Sequence, residues 1–149
     1  MSVSFQTIEE GPNRIRISAR FTARTPSELY RDWTEPDRLR AWWGTAEVLD
    51  LKVGGAYVFR WEKFGVLRGK YTHIDPGRRL EFSWAWDDDP EHQQQVSLLF
   101  RRDGVSGTEL ELTHGPYPPD SASQDLRRHH LEGWREHLSD IDRFSVAGV

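Results

Sequence analysis

Residues 122–144 read ASQDLRRHHLEGWREHLSDIDRF, and within them Leu126, His130, Trp134, Leu138 and Ile141 step by four, four, four and three. That spacing is one face of a helix. Ser121-Ala122-Ser123-Gln124 just before it reads as a capping box. At 1.5 Å per residue the helix spans roughly 35 Å. A single long helix with one apolar stripe must lie on the apolar face of a sheet. The rest of the chain therefore has to supply that face.

It does so by alternation. Ile15, Ile17, Ala19 and Phe21 share one side of a strand, with Arg14, Arg16, Ser18 and Arg20 on the other. Thr25-Pro26-Ser27-Glu28 then combines a Thr cap, Pro at the first helical position and Glu three residues on. A second start at Thr34-Glu35-Pro36-Asp37 leads to Leu39, Trp42 and Trp43; Pro36 separates two short helices. About six strands follow: residues 46–53, 57–62, 66–74, 80–86, 96–101 and 109–114. Their turns are short, Asp75-Pro76-Gly77 and Asp103-Gly104-Val105-Ser106-Gly107 among them, which implies an antiparallel meander. A sheet of this many strands twists and curls. The expected architecture is α+β: a curved antiparallel sheet wrapped around the C-terminal helix, with two short helices closing one end. Residues 1–149 are expected to form a single domain, with 1–12 a loose lead-in.

The bulk composition excludes several functions. The 149 residues include no cysteine, so disulfides and thiolate chemistry are out, and a reducing cytoplasm is the expected compartment. The N-terminal residues show no signal-peptide pattern, and no run approaches the ~18 apolar residues of a membrane span. The net charge is -4 with both signs mixed, which argues against a nucleic-acid partner. Arg127-Arg128-His129-His130, the densest basic cluster, lies beside Asp125 and Glu132 and reads as a solvated helix face. Seven tryptophans in an otherwise polar chain imply either large core anchors or a ring-lined cavity.

The order of motifs resembles the helix-grip superfamily of START and birch-pollen-allergen-like (SRPBCC) domains. Within it the chain is most similar to homologues of the heat-shock chaperone ATPase activator. The likeness rests on Trp42-Trp43-Gly44, Gly54-Gly55 before Tyr57-Val58-Phe59-Arg60-Trp61, and Gly69-Lys70-Tyr71. It continues through Asp75-Pro76-Gly77-Arg78-Arg79-Leu80, Phe82-Ser83-Trp84, residues 108–114 and Gly133-Trp134, covering roughly residues 13–145. Thr45 stands where relatives often have Pro, and His73 where many have an acidic residue. The resemblance implies a START-like domain with a hydrophobic cavity. Its relatives include lipid and hormone carriers, polyketide cyclases and a chaperone-stimulating domain.

Alternation predicts the inward residues. Tyr57, Phe59, Trp61, Tyr71, His73, Phe82, Trp84, Trp86, Leu98, Phe100, Leu112 and His114 from the sheet, with Trp134 and Leu138 from the helix, are the candidate ligand-binding set. They are either ordinary core or the walls of an aromatic pocket. His73 and His114 must each pair with another side chain or contact a ligand, because a buried unpaired imidazole costs roughly 1–3 kcal/mol. Burial would keep them neutral. Trp42 and Trp43 point in different directions on a helix, so one is expected to pack down and the other to act as a lid or interaction residue.

The leading functional expectation is a carrier or sensor of a small hydrophobic or aromatic molecule. The alternatives are a protein-interaction module that engages a chaperone, and a cyclase- or hydrolase-like enzyme using pocket His and Tyr groups. No nucleophile elbow, phosphate loop or dinucleotide fingerprint is present. No catalytic residue, metal ligand or cofactor is assigned. The expected assembly is a monomer or homodimer.

Overall fold

Strand β1 (Val3–Glu9) pairs antiparallel with β2 (Ile15–Phe21). The structure is a computed structural model that describes residues 3–9 and 11–144. The expected loose lead-in is therefore corrected: residues 3–9 form an edge strand, while residues 1, 2 and 10 lie outside the described residues. After β2 come α1 (Pro26–Thr34) and α2 (Pro36–Trp42). Six strands follow: β3 (Thr45–Leu49), β4 (Ala56–Trp61), β5 (Gly65–Asp75), β6 (Arg79–Trp86), β7 (Gln94–Asp103) and β8 (Gly107–Gly115). The chain continues into α3 (Ser121–Phe144). All eight strands form one antiparallel sheet in the order β1-β2-β8-β7-β6-β5-β4-β3. This is the helix-grip α+β fold. β2 and β3 lie towards opposite ends of that order, so α1 and α2 carry the chain across from one end to the other.

The caps follow local chemistry. Thr25 Oγ1 accepts from the Glu28 amide (3.2 Å), and Glu28 Oε1 accepts from the Thr25 amide (2.9 Å), so the predicted capping box is present. At α3 the cap differs from expectation. Asp120 replaces Ser121, accepting from the amide (2.8 Å) and hydroxyl (2.9 Å) of Ser123. Gln124 instead donates to the carbonyls of Pro12 and Pro118.

The short helices are pinned by charge. Asp32, fully buried, accepts from Arg24 (3.1 Å) and Arg38 (3.0 Å), and its carbonyl accepts from the Trp42 indole (2.8 Å). A buried carboxylate held by two guanidiniums is costly to break, since the partners would be left as uncompensated charges.

The backbone of α3 comes nearest to α2, β2 and β1. Opposite β4, β5 and β6 the gap between helix and sheet is bridged by large rings rather than by close backbone approach. No helix among the described residues is long and apolar enough to cross a membrane.

Candidate functional site

The space between helix and sheet divides in two. On one side Trp33, Leu39, Tyr57, Phe59, Leu67, Tyr71 and Phe82, with Trp43 as the wall shared with the other side, leave a void of only ≈ 10 Å³. That is about enough for one water at most. Gly69 makes this packing possible, since a Cβ there would lie 2.5 Å from the Tyr57 ring and 2.1 Å from the Ser83 carbonyl oxygen. Tyr57 Oη donates to that same carbonyl. Burial raises the pKa of both Tyr57 and Tyr71, so both stay neutral.

On the other side lies an open cleft of ≈ 570 Å³. Helix α3 contributes Leu126, His129, His130, Gly133, Trp134 and His137, a single stripe at helical spacing. Strands β4 and β6 contribute Trp61, Trp84 and Trp86, and the C-terminal cap of α2 contributes Trp43. Phe64, Asp88 and Asp89 come from the adjoining turns. Phe64 and Asp88 are exposed and form part of the rim.

All seven tryptophans join one ring cluster. Trp43 sits at its centre, stacked on Trp134 (5.3 Å, 8°) and edge-on to Trp61 (5.1 Å, 84°). Trp33 meets Trp42 and Trp134, while Trp86 meets Trp61 and Trp84. Hydrogen bonds fix several rings. Trp61 Nε1 donates to the Trp43 carbonyl (2.6 Å), and His137 Nδ1 lies 3.3 Å from the Trp42 carbonyl. The indole N–H of Trp84 is buried without an acceptor among the described residues.

Beneath the cleft runs a polar chain. Trp134 Nε1 can only donate, and it lies 2.9 Å from His114 Nδ1. His114 Nδ1 must therefore be bare and its proton must sit on Nε2, which donates to Gln94 Oε1 (2.8 Å). The Gln94 amide then donates to the Pro116 carbonyl (2.9 Å). Burial pushes His114 well below its ordinary range, and neighbouring His130 adds to the effect, so the imidazole is neutral. His130 stacks on His114 (4.9 Å, 13°) and is lowered to about 4, again mainly by burial. Its Nδ1 lies 2.6 Å from Tyr117 Oη.

The predicted residues scatter across these environments. Trp43, Trp61, Trp84, Trp86 and Trp134 line the cleft. Tyr57, Phe59, Tyr71 and Phe82 pack the filled side. Leu98, Phe100, Leu112 and Leu138 are core, and Trp42 is packed among the rings at 4% exposure. His114 lies below the cleft with both nitrogens used inside the protein. His73 corrects the alternation: it is exposed. A register shift between Tyr71 and His73 adds a residue to β5, so Ile74 takes the inward position. Any polarity it carries falls outside the cleft.

The basic cluster also departs from a solvated face. Arg127 is 7% exposed, with Nε donating to the Arg14 carbonyl (3.0 Å), and His130 turns into the cleft; only Arg128 and His129 are exposed. Tyr117, His137 and Gly133 were not among the candidate ligand-binding residues. The signal available for His137 and Gly133 was the row beside the apolar stripe, since each lies one residue before a stripe position, Leu138 and Trp134.

Comparison with known proteins agrees with this architecture. The sequence profile of the family described as Activator of Hsp90 ATPase homolog 1-like protein matches residues 23–145. No curated protein matches in sequence. Among solved structures, CalU16 from Micromonospora echinospora is similar at 26% identity, covering 96% of this chain and 83% of its own, with TM-score 0.70. Ms6760 from Mycobacterium smegmatis superposes with TM-score 0.75 at 19% identity, covering 94% and 96%. CV1439 from Chromobacterium violaceum does so with TM-score 0.73 at 23% identity, covering 89% and 96%. The last two likenesses concern the fold alone.

Proposed function

The chain belongs to the Activator of Hsp90 ATPase homolog 1-like family, and from that premise we propose that it binds a small, largely apolar molecule in the cleft between α3 and strands β4 and β6. Gly133 carries this reading. It sits mid-helix, where glycine costs about 0.5–1 kcal/mol relative to alanine. A Cβ at Gly133 would meet nothing within 4 Å, so no close neighbour requires the glycine. Its side of the helix faces the cleft. A helix that gives up stability for unfilled space beside five indoles is arranged to admit a guest.

The size of the cleft supports the same reading. The cleft volume of ≈ 570 Å³ falls in the range of small-molecule sites, about 300–1,000 Å³. An interaction module anchored on Trp42 or Trp43 has weaker support, because neither ring is exposed: 4% and 9%. A carrier or sensor in the cytoplasm, acting as a monomer or homodimer, is the role that follows.

The test is binding of N-phenyl-1-naphthylamine, a neutral apolar fluorophore, to the wild-type chain and to Gly133→Leu. Leucine is a good helix former, so the variant should keep its circular dichroism and unfold at a urea midpoint no lower than wild type while its side chain occupies the cleft. The expected result is saturable binding to wild type and at least a tenfold loss in the variant. Equal binding to both would remove the cleft as the site.

A further inference from the structure

We infer that the cleft selects by charge: its guest is an apolar, flat body bearing a positive charge, an amine or quaternary ammonium, and carboxylates are turned away. The inference rests on the cleft being the binding site and names the ligand class it takes.

The walls present five indole faces, and indole is the strongest of the side-chain rings in attracting cations. No lysine or arginine lines the space, while two carboxylates, Asp88 and Asp89, do. Of the basic residues beside the lining in sequence or on the sheet, Lys63 next to Phe64 is exposed at the outer edge, and Arg128 next to His129 pairs with Asp125. Arg68 Nε is bound to Asp87 (2.6 Å), and Arg127 is buried against the Arg14 carbonyl. Asp89 is shared with His92 (2.6 Å). Asp88 makes no ion pair or hydrogen bond among the described residues, so its charge remains available at the rim.

The two buried imidazoles of the cleft do not offset this. Burial lowers His130 to about 4 and also lowers His137, so both are uncharged at neutral pH. His129 stands at the exposed rim. The result is an aromatic wall with negative charge at its edge. A cation enters along that field and then meets the electron-rich ring faces. An anion meets repulsion at the rim and no countercharge within.

Three naphthalenes of similar size separate the possibilities: 2-naphthyltrimethylammonium, 2-tert-butylnaphthalene and naphthalene-2-sulfonate. Their binding to the full chain is measured by equilibrium dialysis, at low and high salt, with Gly133→Leu and Asp88→Asn/Asp89→Asn beside wild type. The ammonium should bind about tenfold tighter than the neutral compound, with the sulfonate weakest. The double Asn variant should reduce that advantage to about threefold, with the ammonium losing more affinity than the neutral compound. Neutral binding equal to or tighter than the ammonium would overturn the charge inference while leaving the cleft as the site, provided Gly133→Leu abolishes it. Binding of all three that ignores Gly133→Leu would sink the cleft and the inference together. An advantage that survives the Asn substitutions undiminished would overturn the carboxylates' part.

Discussion

The two sides of the interior use the same ingredients to opposite ends. Tyr57, Phe59, Tyr71 and Phe82 interlock until about 10 Å³ is left, whereas Trp61, Trp84, Trp86 and Trp134 stand around ≈ 570 Å³. Both sets are aromatic, and both come chiefly from strand positions that alternation points inward. The glycines separate them. Gly69 lets a ring approach the backbone, and Gly133 withdraws a side chain where nothing else fills in. Ring count therefore does not decide whether an aromatic face is core or pocket. What matters is whether the facing element brings its own mass to meet the rings.

The contrast is broken most directly by truncating one ring on each side. Phe82→Ala removes a ring that packs against Tyr57 (5.5 Å) and Tyr71 (6.2 Å) in a space with no slack. It should cost about 3–5 kcal/mol. Trp86→Ala removes a half-buried ring on the open side, touching Trp61 and Trp84. There the cost should be on the order of 1 kcal/mol. Urea unfolding of both variants measures the difference; equal losses would mean the open side is packed as tightly as the closed one.

This difference also explains what was legible beforehand. The strand order, the two short helices and the α3 stripe follow from local period and caps, which are written in neighbouring residues. The division of the inward face into filled and open parts is not. It depends on where α3 leaves the sheet, a property of the assembled layers. Two residues show the limit. His73 has the right parity for the inner face, but the register shift at Tyr71/His73 inverts it, and no Gly or Pro at that point announces the bulge. His130 lies in a basic run that reads as solvated, yet the helix turns it under Trp84 (5.7 Å). Charge patterning cannot register a ring that will be neutral once buried.

Acid should expose that second case. His130 is held at about 4 and His114 well below its ordinary 6.5, both chiefly by burial. Between pH 6.5 and about 4 the unfolded chain protonates these imidazoles and the folded chain does not. The unfolded state thus binds more protons, and stability falls as the pH drops through that interval. For His130 alone the loss should reach on the order of 3 kcal/mol by pH 4. His130→Gln removes its share, so the slope of unfolding free energy against pH should flatten in that variant. An unchanged slope would mean the ring is solvated after all, and that the boundary between the two sides lies elsewhere.

The smallest effect is the most discriminating, because its sign is unusual. Gly133→Ala adds one methyl group at a position with nothing within 4 Å. Alanine is the better helix former by about 0.5–1 kcal/mol, and the unfolded chain loses freedom as well. The variant should therefore be more stable than wild type by about that amount, read as a raised urea midpoint with an unchanged slope. The same methyl intrudes slightly on the cleft, so affinity for an apolar guest should fall as stability rises. At Gly69 the corresponding methyl would strike the Ser83 carbonyl and the Tyr57 ring, and Gly69→Ala should destabilise. Opposite signs at two glycines of one interior would mean that one was kept for packing and the other for emptiness. If Gly133→Ala instead destabilises, the helix needs that glycine for its own packing, and the cleft loses its best argument for being more than a gap.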